Sequence, residues 1–155
     1  MPPVFPITPT FSYFSAPGSK WTFASDINDA GQIIGNDETA QGVGSDFLYS
    51  GGTFTSFAPA GGTETAPYGI NDSGQIVGYA TVGGKSFSFV DTNGTFKTIS
   101  VPGTLVLSTA ASGINDQGDI VGTFTGPSGF LDTNGTFTTF ALGWLGRCLA
   151  RRRQA

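Results

Sequence analysis

Three stretches decide the fold: DINDAGQIIG at residues 26–35, GINDSGQIVG at 69–78 and GINDQGDIVG at 113–122. Their shared aspartates, Asp29, Asp72 and Asp116, recur at intervals of 43 and 44 residues. Each stretch is followed by a second motif: FLYSGGTFTSFAPAG from Phe47, FVDTNGTFKTISVPG from Phe89 and FLDTNGTFTTFALG from Phe130. A fourth copy of the end of that motif, TFSYFSAPG, opens at Thr10. Recurrence of whole motifs in order marks a tandem array. Residues 1–143 therefore read as one repeat domain, with a leading strand over 10–18 and units at about 19–61, 62–103 and 104–143.

Each unit reads as four strands. Ile-Asn-Asp ends the first, and the run Gln-Ile-Val-Gly or its equivalent starts the second. Asn or Asp opening a tight turn, with Gly at the following left-handed position, suits a type I turn with a G1 bulge, where a Cβ is penalised. Asp-Thr-Asn-Gly, or Ser-Gly-Gly in the first unit, predicts a second hairpin by the same chemistry. Gly35, Gly78 and Gly122 fall late in the second strand, where a missing side chain suggests a bulge or a close backbone approach. Phe11/Phe14, Phe54/Phe57, Phe96/Ile99 and Phe137/Phe140 recur at i and i+3. That spacing departs from strand alternation and predicts a bulged strand inserting rings between units.

Composition narrows the class. With 24 glycines and nine prolines among 155 residues, long helices are interrupted throughout, so the chain is all-β. Hydrophobic residues make up 38% and charged residues 12%, enough apolar content for a packed core. There is no histidine, which removes Ser-His-Asp and Cys-His nucleophile systems and most zinc sites. The single cysteine, Cys148, cannot form an internal disulfide. Arg147, Arg151, Arg152 and Arg153 lie in a basic, non-repeat tail at 144–155, expected to be disordered or artefactual. The first 140 residues carry three basic against eleven acidic side chains, a balance that repels nucleic acid and favours cations. No stretch is apolar over the roughly 20 residues needed to span a bilayer. The N-terminal segment has no recognisable signal-peptide pattern.

Four-stranded units of this length match propeller blades. The pattern resembles the HAF-type extracellular repeat, whose signature centres on Ile-Asn-Asp-x-Gly-x-Ile-Val-Gly followed by Gly-Phe-Leu-x-x-x-Gly-x-Phe-x-x-Ile-x-x-Pro-Gly. The resemblance spans residues 10–143 and implies blade-like units and an extracellular or cell-surface setting. The departures are Asp26 in place of the glycine at 69 and 113, Tyr-Ser-Gly-Gly in unit 1, and a shortened unit 3 before Phe130. Three blades leave exposed faces, so a homodimer of six blades, latched by the leading strand, is expected. A β-trefoil, which also uses three four-stranded units, is the alternative, although it has no place for a thirteenth strand.

Two chemistries are open. Asn28, Asp29, Asn71, Asp72, Asn115 and Asp116 either hold their turns through side-chain bonds to backbone or, lined up at one rim, supply oxygen ligands to calcium. Asp91 and Asp132 also belong to repeated turns, whereas the other acids, Asp26, Asp37, Glu38, Asp46, Glu64 and Asp119, are not explained by the repeat and are better candidates for a specific site, with Tyr79 and Lys85 as assistants. The chain also resembles metagenome-derived calcium-dependent lactonases that open N-acyl homoserine lactones, a quorum-quenching reaction. That resemblance implies calcium on the carbonyl oxygen, with Asp26 or Asp119 activating water. Its partner would be a small lactone or ester. The alternative is a non-catalytic extracellular module that binds glycan, protein or calcium.

Overall fold

A computed structural model describes residues 10–125 and 128–141. The tail at 144–155, with Cys148, lies outside them. Twelve strands form three separate four-stranded antiparallel sheets, one per unit. Unit 1 contains β1 (Ser19–Ile27), β2 (Ile33–Thr39), β3 (Gly44–Ser50) and β4 (Thr53–Ser56), in that spatial order. Unit 2 contains β5 (Gly62–Ile70), β6 (Ile76–Val82), β7 (Lys85–Thr92) and β8 (Thr95–Ile99). Unit 3 contains β9 (Thr109–Ile114), β10 (Ile120–Phe124), β11 (Ser128–Thr133) and β12 (Thr136–Ala141), preceded by a 3-10 turn at Val106–Ser108. The sheets do not merge into a barrel, as a trefoil would require. No helix among the described residues is long and apolar enough to cross a membrane.

Turn chemistry sets each meander. In unit 2 the Gly74 amide donates to the Asn71 carbonyl at 2.9 Å, the Asn71 amide donates to the Gln75 carbonyl at 3.1 Å, and Gly74 has φ +75°. This is the type I turn with a G1 bulge, and Gly31 and Gly118 repeat it. The later hairpin differs from expectation. Thr92 pairs with Thr95 across only two residues, and both Asn93 and Gly94 have positive φ. The loop is therefore a type I′ turn, whose backbone twist matches that of the flanking strands.

Gly35, Gly78 and Gly122 meet both expectations at once. A register shift opposite each leaves Ser25, Tyr68 or Ser112 as the extra residue of a bulge. The bulge pushes a carbonyl inward. A Cβ on Gly78 would stand 2.2 Å from the Ala66 oxygen, and the other two glycines face the same obstacle from Phe23 and Ala110.

The core lies in two seams between units. Ile34, Ile70, Ile76, Ala80 and Phe89 fill the first, with Phe57 and Phe96 against them. Val77, Ile99, Val101, Ala111, Ile120 and Phe130 fill the second, with Phe137 against them. The i, i+3 aromatic spacing does not arise from a bulge, because β7–β8 and β11–β12 pair in continuous register. An odd spacing on a regular strand points two side chains to opposite faces. Phe96 thus enters the first seam and Ile99 the second.

The expected leading strand is also corrected. Residues 10–16 have no strand pairing, since the partner that β4 finds in β3 has no counterpart for them among the described residues. Phe14 nevertheless stacks on Tyr49 with ring centroids 5.3 Å apart and lies beside Phe54, covering the outer face of unit 1 as Phe57 covers unit 2.

Candidate functional site

The repeated Asn and Asp residues do line one rim, where they form a staple between units. Asn28 Nδ2 donates to the Asn71 carbonyl at 2.9 Å, and Asn71 Nδ2 to the Asn115 carbonyl at 3.0 Å. One residue on, the Asp29 amide donates to Asp72 Oδ1 at 2.8 Å and the Asp72 amide to Asp116 Oδ1 at 2.9 Å. Each Asn Oδ1 accepts an amide from its own turn, from Gln32, Gln75 and Asp119 in turn. These oxygens are committed to backbone, and among the described residues no cluster of three His, Cys, Asp or Glu side chains is arranged to hold a metal ion.

The expected bases, Asp26 and Asp119, belong to different units. Asp26 accepts from its neighbour Ile27 and, across the first seam, from the Ile70 amide at 2.9 Å. Asp119 occupies the position of Gln32 and Gln75 and accepts from Asn115 Nδ2 at 3.2 Å. Both are tied into the rim hydrogen bonds.

A cleft of about 620 Å³ opens at the other end of the first seam. Its walls bring together Asp37, Asp46 and Glu64, three of the acids that the repeat does not explain, with Tyr79, one of the expected assistants. Asp26, Glu38, Lys85 and Asp119 stay outside it. Asp37 is buried and held by the hydroxyls of Ser19 and Ser45, the latter at 2.6 Å. Tyr79 donates to Glu64 Oε1 at 2.6 Å, a bond that pushes the phenol up to about 12. Asp46 is only 7% exposed. Burial, reinforced by the negative charges of Asp37 and Glu64, raises its carboxyl to about 7, and no hydrogen bond from the described residues opposes the rise.

The second seam explains why this carboxyl stands alone. The position of Asp46 in unit 2 is Ser88, fully buried, which donates to the Thr109 carbonyl at 2.9 Å and accepts the Ala111 amide at 3.0 Å. In the first seam Ala111 is replaced by Pro67, which has no N–H to give. Asp37, which also lines the cleft, is the unit 1 equivalent of Ala80, a residue that unit 2 buries in the first seam itself. Two departures from the second seam, Asp46 for Ser88 and Pro67 for Ala111, thus stand where the first seam opens into an acidic cleft. Superposing positions 46, 88 and 129 would have exposed the first of them in the sequence. Pro67 shows only when paired with Ala111.

Asp91 is a further buried acid. Its Oδ1 has no partner among the described residues and burial raises its pKa, against the lowering effect of the Gly94 and Thr92 amides. It does not line the cleft. In comparison with known proteins, the chain matches no family model and has no significant match among curated proteins.

Proposed function

We propose that the cleft between units 1 and 2 is the reaction site of a hydrolase that opens lactones or esters, with acyl homoserine lactones as the substrate class. The observation that supports it is Asp46, a largely buried carboxyl on the cleft wall beside Asp37 and Glu64, with no hydrogen-bond partner among the described residues, whose pKa raised to about 7 suits a general base at neutral pH. Ionised Asp46 takes a proton from water as the water oxygen attacks the carbonyl carbon. The ring C–O bond then breaks, and the leaving oxygen recovers that proton from Asp46, giving a hydroxy acid. The hydroxyls of Ser56 and Thr65 on the same walls supply donors for the developing oxyanion, and Phe57 and Ala66 offer apolar surface for an acyl chain. Asp46 replaces Asp26 and Asp119 in the role of base. Calcium at the turn residues does not suit the donor set, because a cation there competes with the amides that Asn28, Asn71, Asn115, Asp72 and Asp116 already serve. No step here passes through a metal.

The likeness to HAF-type repeats supports an extracellular setting. A non-catalytic glycan-binding module is the second reading, favoured by the hydroxyl-rich wall of Ser45, Ser56, Thr63, Thr65 and Tyr79. Hydrolysis of an acyl homoserine lactone series and aryl esters, with and without EDTA, separates them. Turnover should rise with an apparent pKa near 7, persist in EDTA and fall by about 100-fold or more in Asp46→Asn. Activity abolished by EDTA restores the calcium mechanism. No turnover on any lactone or ester leaves the binding module.

A further inference from the structure

The seams between units are directional. Unit 1 donates to unit 2 through Asn28 Nδ2 and the Asp29 amide, and unit 2 donates to unit 3 through Asn71 Nδ2 and the Asp72 amide. Among the described residues both ends of the series are unmatched. In unit 3 the equivalent donors find no acceptor in a further unit among the described residues, and Asn115 Nδ2 keeps only the own-turn bond, to Asp119, that Asn28 and Asn71 also make to Gln32 and Gln75. In unit 1 the Asp29 carboxylate occupies the position that accepts in Asp72 and Asp116, but no preceding unit among the described residues supplies a donor.

The apolar surfaces end the same way. Ile34 and Val77 face the next unit and are fully buried, whereas Val121, at their position in unit 3, is 47% exposed. Ile99 is buried in the second seam, whereas its equivalent Phe140 is 56% exposed. Unit 3 therefore presents the apolar residues and the donors of a seam, and unit 1 presents its acceptors.

We infer that the open face of unit 3 binds the unit 1 end of a second copy of this chain. Two copies joined at both ends repeat the established seam twice more and close six units into a ring. Such contacts are heterologous, so each copy uses one donor end and one acceptor end. Residues 10–16 already cover the outer face of unit 1. Docking sets them at the new contact, beside a unit 3 whose own outer strand is β12.

The test is mass in solution by light scattering across a concentration series, on the full chain. The wild type should show twice the single-chain mass of 16.0 kDa. Val121→Asp should reduce it to the single-chain value with an unchanged circular dichroism spectrum, because Val121 is exposed within its own chain. Leu105→Asp, at a loop position 77% exposed, should keep the double mass. A wild type that stays at single-chain mass at every concentration overturns the inference, as does a Val121→Asp variant that keeps the double mass. Mass that grows without limit overturns the closed pair.

Discussion

Replacing Asp46 by Asn removes one ionisation from the first seam and leaves the shape nearly unchanged. In the unfolded chain this carboxyl ionises near its usual 3.8; in the fold, burial beside Asp37 and Glu64 raises it to about 7. The folded state thus holds a proton that the unfolded state releases. The contribution of Asp46 to stability is therefore most favourable below 3.8 and is lost as pH rises through about 7, the reverse of a salt-bridged aspartate. A tenfold change in proton affinity is worth about 1.4 kcal/mol, which bounds the loss at about 4 kcal/mol. The cleft admits water, and screening there brings the expected loss to about 2 kcal/mol. Urea unfolding of both proteins at pH 4, 6 and 8 measures it. Asp46→Asn should be more stable than the wild type by about 2 kcal/mol at pH 8, and the advantage should shrink toward pH 4. Parallel stability curves across this range would show that the carboxyl is not held in its protonated form, and the argument for a base with a pKa near 7 would go with them.

Two glycines of unit 2 should respond differently to alanine. Gly78→Ala drives a Cβ to 2.2 Å from the Ala66 carbonyl and should cost about 3 kcal/mol or more, whereas Gly74→Ala meets the left-handed φ of +75° and only an ordinary contact, Gln32 Oε1 at 3.6 Å, and should cost about 1–2 kcal/mol. Chemical denaturation ranks them, and equal losses would refute the bulge geometry. Asn71→Ala strips the Asn115 carbonyl and the Gln75 amide of partners in a buried place and should cost about 2–4 kcal/mol. Asn115→Ala, exposed and without an acceptor in a further unit, should cost clearly less by thermal melting.

The repeat and the turns were legible because both are local. Asn71-Asp72-Ser73-Gly74 needs only its own backbone to form the turn, and Gly74 is required by one left-handed φ. The staple was half visible: the Asn and Asp repeat at one rim follows from the tandem spacing. Their bonds run 43 or 44 residues along the chain, to a neighbour that only stacking supplies. The aromatic spacing was visible as a pattern but read as a bulge, since a strand with two buried faces shows no simple alternation.

By itself the sequence determined three hairpin-built units, the glycines that let their strands bulge, and which acids stand outside the repeat. It could not say which of those acids meet. Asp37 and Asp46 come from one unit, Glu64 and Tyr79 from the next, and their union depends on how two sheets stack. Only that stacking decided that Asp46 would line an open cleft where Ser88 meets an amide. A carboxyl's proton affinity is set by the dielectric and charges around it, and those belong to the packed seam.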